Sequence, residues 1–180
     1  MKAILRTHAR TERRNFVASL STADRVALER QLAANVAPLL IGGKTAAAYA
    51  ATGDEISPGY IPHTLFPRVI GKTLGFHRCP RTLLIPGILK IPEPPAHTPQ
   101  AIPDILLVPL LAVTVAGVRL GQGGGYYDRS LENLRRNGHI VAIGLAWDIQ
   151  ITESLPVEAW DQPLDYIATP IHLVDCARHR

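Results

Sequence analysis

The densest chemistry in the chain lies between Arg119 and Asp128. Four glycines, Gly121, Gly123, Gly124 and Gly125, are bracketed by Arg119 on one side and by Tyr126, Tyr127 and Asp128 on the other. A glycine loop lets the backbone approach a ligand because no Cβ intervenes. Its amides, with the positive end of a following helix, form an anion site. Asp128 would repel phosphate directly, so its economical role beside such a site is to hold a magnesium ion. The bland alternative is a flexible turn followed by a first-turn acid that suits the helix dipole. Four glycines so bracketed favour the ligand site.

Other charged residues join this segment as candidates. Lys2, Arg6, Arg10 and Arg13 recur at steps of three and four along one flank of an N-terminal helical pattern, either as a solvated basic face or as a phosphate-contacting one. Glu55 follows a Thr52-Gly53-Asp54 turn at the carboxyl end of a small-residue strand, where α/β sheets bind ligands. Asp161 follows a proline-bounded stretch and is equally a turn former. No convincing Ser/His/Asp set, Cys/His pair or His cluster at metal spacing is present.

The elements that must position these groups alternate. The pattern predicts a helix from Lys2 to about Leu20 and a second opened by Ser21 and Asp24 as a capping pair. A strand is expected over residues 46–51 and a short helix over 60–66. Buried strands are expected at 106–108 and 111–115, and then a helix from Tyr126 that stops near Gly138. A strand over 139–146 and a last edge strand over 165–168 follow, and the tail from Cys176 to Arg180 reads as frayed. The proline-rich stretch 91–103 is read as an ordered surface loop near the site, although composition alone would equally allow a linker, and the chain is not split there because neither side could bury a core alone. The expectation is one domain over residues 1–180.

Two motifs are decoys. Gly43-Lys44-Thr45 resembles the end of a phosphate loop, but Pro38 stands where the first glycine belongs and a strand follows. Asp148, at a strand end beyond the glycine loop, invites a dinucleotide reading, yet the loop lacks the final small residue of GxGxxG and does not sit in the first βα turn. Asp148 is a loop acid.

Composition sets the frame. The 180 residues are 47% hydrophobic and 19% charged, with net charge +4, which suits an anionic partner: nucleic acid, nucleotide or a polyglutamate tail. Stacking aromatics are not interleaved with the basic residues, which counts against nucleic acid. No stretch has the length of a membrane span and the start lacks a secretory core, so the expected location is the cytoplasm. Cys79 and Cys176 are read as reduced bystanders.

Four segments, in order, resemble one family. Val118–Arg129 (VRLGQGGGYYDR) is similar to the signature of 5-formyltetrahydrofolate cyclo-ligases, also called 5,10-methenyltetrahydrofolate synthetases. Lys2–Arg6 (KAILR), Tyr49–Ile56 (YAATGDEI) and Leu155–Thr169 (LPVEAWDQPLDYIAT) resemble the same family. The resemblance implies a three-layer α/β/α fold with a central, mainly parallel sheet of the NagB/RpiA/CoA-transferase-like kind. It implies ATP- and Mg2+-dependent cyclisation of 5-formyltetrahydrofolate, with or without a polyglutamate tail, by a monomer or weak homodimer. Residue by residue it implies ATP contacts at Lys2, Ala3, Ile4, Leu5 and Arg6, at Arg119, Leu120, Gly121, Gln122, Gly123, Gly124 and Gly125, and at Tyr126 and Tyr127. Substrate contacts are implied at Ala50, Glu55, Gln122, Gly123, Gly124, Gly125 and Tyr126, magnesium ligands at Asp128 and Asp161, and catalytic roles at Arg119, Tyr126 and Asp128.

The chain also departs from the family pattern. Val113 and Thr114 replace a phenylalanine and an aspartate, Lys90 stands where a glycine is usual, and the middle is shortened before Ile91-Pro92-Glu93-Pro94. These departures keep open a folate- or nucleotide-binding module without turnover, and the basic first helix separately keeps open a nucleic-acid binder.

Overall fold

The computed structural model describes residues 1–180. Helix α1 (Lys2–Ser19) is followed by α2 (Thr22–Val36), whose N-cap Ser21 accepts a 3.1 Å hydrogen bond from the amide of Asp24. The main strands are β1 (Ala46–Ala47), β2 (Leu65–Ile70), β3 (Thr73–Arg78), β6 (Ile105–Pro109), β9 (Val141–Leu145), β10 (Tyr166–Ala168) and β11 (Leu173–Asp175). Between them lie two small antiparallel hairpins, β4 (Ile85–Pro86) with β5 (Pro92–Glu93), and β7 (Ala112–Val113) with β8 (Arg119–Leu120). Helix α3 (Tyr126–Asn137) ends at Gly138.

The seven-stranded sheet runs β11-β10-β9-β6-β1-β2-β3. Its five inner strands are mutually parallel, and β3 and β11 close the two edges antiparallel. The period-2 alternation of apolar residues in β6 feeds both faces. Ile105 and Leu107 pack with Leu32 and Val36 of α2 and Phe16 of α1, while Leu106 and Val108 pack with Leu131 of α3. Helices therefore cover both faces, giving the three expected layers. No helix is long and apolar enough to cross a membrane.

Several expectations need correction. Residues 60–66 form no helix: Pro58 and Pro62 deny the turn its amides, and Leu65 and Phe66 instead enter β2. Only Ala46 and Ala47 of residues 46–51 pair as strand. The strand expected over 111–115 shrinks to β7 and pairs with β8 outside the main sheet, so the glycine loop leaves a two-stranded ribbon rather than a core strand. β10 is interior, with β11 outside it. The tail is fastened rather than frayed. Cys176 is fully buried, and Arg180 donates to the carbonyl of Leu164 at 2.6 Å.

Arg13 leaves the basic flank entirely. It is buried, donating to both carboxylate oxygens of Asp54 at 2.9 and 3.3 Å and to the carbonyl of Leu110 at 3.2 Å. Trp147, also buried, donates from its indole to the carbonyl of Asp54. This cluster fixes α1 against the ends of β1 and β6. Burial pushes the Asp54 carboxyl upward, but the hydrogen bonds and charge of Arg13 outweigh it and hold the carboxyl below its ordinary value. A depressed folded pKa stabilises above the unfolded value of about 3.9, and that contribution is lost as pH falls through the folded value. Asp54→Asn leaves Arg13 buried without its counter-charge and should cost about 2–3 kcal/mol. Thermal melts should show a loss of roughly 5–10 °C at neutral pH that narrows as the wild type is acidified below about pH 4.

Lys90 explains one departure from the family. It lies in the β4–β5 turn with φ +59°, and no other non-glycine residue in the chain has positive φ. The turn demands the left-handed conformation that glycine supplies freely and lysine adopts at a cost. Lys90→Gly should raise stability by about 0.5 kcal/mol, after the greater freedom of glycine in the unfolded chain is set against the relieved strain. Chemical denaturation reads this as a higher midpoint at unchanged slope.

Candidate functional site

β1 hands the chain to β2 on one side, whereas β6, β9 and β10 run away on the other. The crevice at the carboxyl ends of β1 and β6 is thus a topological switch point, where open α/β sheets bind ligands. A cleft of about 220 Å³ opens there, with Tyr49 and Ala50 beyond β1 and Pro109 at the end of β6 in its wall. Its other walls come from α1, the β4–β5 hairpin, the glycine loop with the start of α3, and residues 158–161.

The glycine loop is shaped for close approach. Gly123 and Gly125 have φ +103° and +67°, and Gly125 caps α3 without any side-chain cap. The first-turn amides of α3 thus have no side-chain acceptor. A Cβ on Gly123 would stand 3.2 Å from the guanidinium carbon of Arg6, whose Nε donates to the carbonyl of Gly121 at 3.0 Å. Lys2 and Arg6, four residues apart on α1, both face the cleft, but Ala3, Ile4 and Leu5 do not line it. Ile4 is exposed, and Leu5 faces a separate shallow groove beside Leu111 and Leu155. Lys2 and Arg6 stand at i and i+4, one above the other on the same face of α1. With Arg13 buried and Arg10 donating to Gln122, the basic stripe required for nucleic acid is broken.

The polar end of the cleft is built from ion pairs. Arg119, nearly buried, donates to Asp128 at 2.5 Å, and its other terminal nitrogen donates to the carbonyl of Gln162. Asp128 accepts in turn from the amide of Gln162 at 3.1 Å. The backbone of one residue, Gln162, thus ties the segment carrying Asp161 to both partners through its amide and its carbonyl. Burial lowers the Arg119 pKa while Asp128 opposes the shift, and a guanidinium stays charged. Lys2 donates to Asp161 at 2.7 Å and to Glu158 at 2.8 Å. Burial would lower the Lys2 pKa, yet its two carboxylate partners prevail and raise it.

Glu55 lies toward the β1 end. Its Oε2 accepts from the amide and hydroxyl of Thr52, at 2.9 and 3.2 Å, while Oε1 makes no bond within the protein. Tyr49 and Tyr127 flank it. Burial first, and then the charge of Glu55, push both phenols up, so they stay neutral. The cleft also has an apolar wall, with Val69 and Leu74 beside Leu89 and Ile91 of the β4–β5 hairpin, and Trp160 at its rim. Tyr126 lines the cleft with the guanidinium of Arg129 5.4 Å from its ring centre.

The structure brings Lys2, Arg6, Ala50, Glu55, Arg119, Leu120, Gly121 to Gly125, Tyr126, Tyr127, Asp128 and Asp161 to this single cleft. Sequence reasoning missed Tyr49, Glu158, Trp160 and the apolar wall. Glu158 sits three residues before Asp161, a spacing that could have signalled a pair. The wall residues carry no local signal. Thr114 does not line the cleft. It is buried in the β7–β8 turn with an unpartnered hydroxyl, so the replaced aspartate is a turn substitution and not a lost cleft ligand.

A three-layer α/β fold whose switch-point cleft joins a glycine loop to paired acids and bases defines a class of small-molecule-binding α/β proteins. The comparisons narrow it. The model of the 5-formyltetrahydrofolate cyclo-ligase family matches residues 66–170, and the chain belongs to that family. The 5-formyltetrahydrofolate cyclo-ligase of Escherichia coli K12 is 40% identical over 115 residues, 62% of this chain and 62% of its own length. That of Mycolicibacterium smegmatis is 30% identical over 94% of this chain and 93% of its own. Among solved structures, the 5,10-methenyltetrahydrofolate synthetase of Aquifex aeolicus superposes with TM-score 0.72 at 27% identity, covering 97% of this chain and 92% of that one. The synthetase of Mycoplasma pneumoniae gives 0.69 at 25% identity, covering 94% and 98%.

Proposed function

We propose that this chain, as one catalytic domain over residues 1–180, converts 5-formyltetrahydrofolate and ATP to 5,10-methenyltetrahydrofolate, ADP and phosphate with Mg2+ as cofactor. The observation that carries the reading is the convergence of the uncapped glycine loop, the cations Lys2, Arg6 and Arg119, and the half-free carboxylate of Glu55 on one cleft with an apolar wall. In the reaction the formyl oxygen attacks the γ-phosphorus as ADP departs, N10 closes onto the activated carbon and gives up its proton, and phosphate leaves carrying the former formyl oxygen. No protein nucleophile takes part, so the chain contributes alignment, charge neutralisation and exclusion of water.

Lys2, Arg6 and Arg119 carry the phosphate charge, and the loop amides hold the phosphates in line with the formyl group. Glu55, through Oε1, accepts from the amino-pyrimidine edge of the pterin, and Tyr126 lies against the folate. Asp128 and Asp161 supply hard oxygen ligands of the kind magnesium takes. No three acidic, histidine or cysteine side chains converge anywhere in the chain, so phosphate oxygens and water must complete the shell. The Lys2 ammonium already stands against Asp161 as a cation does. When bound, magnesium neutralises charge across the terminal phosphates. A cytoplasmic location and a monomeric or weakly dimeric state go with this reading.

The test is incubation with 5-formyltetrahydrofolate and ATP, with magnesium present or withheld, following absorbance of the methenyl product. Product that requires both ATP and magnesium is expected. Calorimetric binding of both ligands without product would instead identify a module that has lost turnover.

A further inference from the structure

In the cleft every group assigned to phosphate or metal, Arg6 excepted, is already spoken for by another. Lys2 is held by Asp161 and Glu158, at 2.7 and 2.8 Å, and Arg119 by Asp128, at 2.5 Å. The side chains of Lys2 and Asp161 are 13% and 17% exposed and those of Arg119 and Asp128 5% and 22%, so these two pairs are largely shielded from the screening that makes surface pairs weak, whereas Glu158, 44% exposed, adds a weaker contact. Lys2, Arg6 and Arg119 on one side and Asp128, Glu158 and Asp161 on the other sum to zero formal charge. A bare triphosphate therefore meets only Arg6 free of a carboxylate, and a bare divalent cation meets carboxylates that are engaged. Only a metal–phosphate pair can replace both halves at once, since its anionic oxygens take the cations while its metal takes the carboxylates.

We propose that Lys2 is a resident counter-ion for the metal carboxylates, parked by Glu158 and Asp161, and that it passes to phosphate when a nucleotide-bound divalent cation takes Asp161. Glu158 is the positioning residue of this exchange. Its amide donates to the same Asp161 Oδ2 that Lys2 contacts, at 2.8 Å, so the parking place is built by residues 158–161 as a unit. The exchange makes nucleotide and metal bind as a couple and disfavours either alone, which keeps the carboxylates from collecting free divalent cations. This rests on the cyclo-ligase reading of the cleft, because it takes the phosphates and metal to bind there.

The experiment measures binding without turnover. Manganese(II) chloride is titrated into nucleotide-free protein and followed by electron paramagnetic resonance, and ATP is titrated calorimetrically in EDTA or with saturating manganese. In the wild type, manganese should raise ATP affinity at least about tenfold, a coupling typical of linked sites. Lys2→Met frees Glu158 and Asp161, so manganese alone should bind about tenfold more tightly than to wild type and the coupling should shrink. Glu158→Gln loosens the parking place, so ATP in EDTA should bind several-fold more tightly while its affinity with manganese changes little. Unchanged manganese affinity in Lys2→Met, with manganese–ATP still binding the wild type, would overturn the exchange and leave the cyclo-ligase reading standing. Failure of the wild type to bind ATP under either condition would overturn both.

Discussion

Asp128→Asn is expected to abolish methenyl production almost completely, with a fall in kcat of about a thousandfold or more at saturating ATP and magnesium. The amide keeps an oxygen for the Gln162 amide and for Arg119, so the bonds at 3.1 and 2.5 Å retain their partners and only the charge is removed. Arg119 is then left nearly buried beside a neutral group, which should cost about 1–3 kcal/mol and lower the melting temperature by several degrees without unfolding the chain. Asparagine is the sharper substitution because alanine would also strip the Gln162 amide of its acceptor and slacken the segment that carries Asp161. Stopped-time assays beside a melt separate the two effects. Unchanged turnover with magnesium ATP would remove Asp128 from the metal shell and reduce its role to pairing Arg119.

That Asp128 is tied to both Arg119 and Gln162 was not readable from the sequence, and the reason is physical. The glycine loop and the start and stop of α3 were legible because they are local: glycines, helical spacing of Tyr127, Leu131 and Leu134, and Gly138 lie within one stretch of chain. The capped start of α2 was legible for the same reason. Arg119 and Asp128 pair directly, but the Gln162 backbone that binds both is distant in sequence, and nothing in either segment announces the other.

Arg13 shows how a correct period can carry a wrong inference. Its spacing from Lys2, Arg6 and Arg10 does place it on the flank of α1, but the flank passes from cleft to core along the helix, and the burial is compensated by Asp54 on another element. The missed β2 start is the converse case. Residues 60–66 offered a weak helical period, and a strand partner supplied by β3 prevailed over it. The carboxyl-terminal tail looked polar and therefore loose, yet the side chain of Cys176 fills space beside Gly117, where a Cβ would stand 3.1 Å from it. In each case the deciding contact is non-local, as it is for the apolar wall of the cleft, whereas the glycine loop and its flanking charges announced themselves by type and local spacing.

Gly123→Ala is the second large effect, and it tests the loop directly. At φ +103° the residue sits outside the left-handed well that other residues occasionally adopt, so the backbone must rotate to accept a Cβ, at a cost of order 1–3 kcal/mol. The new methyl would also stand 3.2 to 3.5 Å from the Arg6 guanidinium, against which Arg6 can yield only by loosening its 3.0 Å bond to the Gly121 carbonyl. Rotation of the Gly123 peptide turns loop amides away from the cleft, and movement of Arg6 withdraws charge from the same place. ATP affinity measured with magnesium should therefore fall about thirtyfold or more, each lost charge-assisted contact contributing roughly 1.5–3 kcal/mol when not compensated. Gly121→Ala is the control, because its Cβ would meet open space and its φ is not in the left-handed range. A side chain there enters the cleft without straining the backbone or displacing Arg6, so the loss of ATP affinity should be the smaller of the two. Equal losses in both variants would mean that any side chain obstructs the loop, whereas equal tolerance would mean that the phosphates do not lie against Gly123 and that the anion site must be sought at the α3 terminus alone.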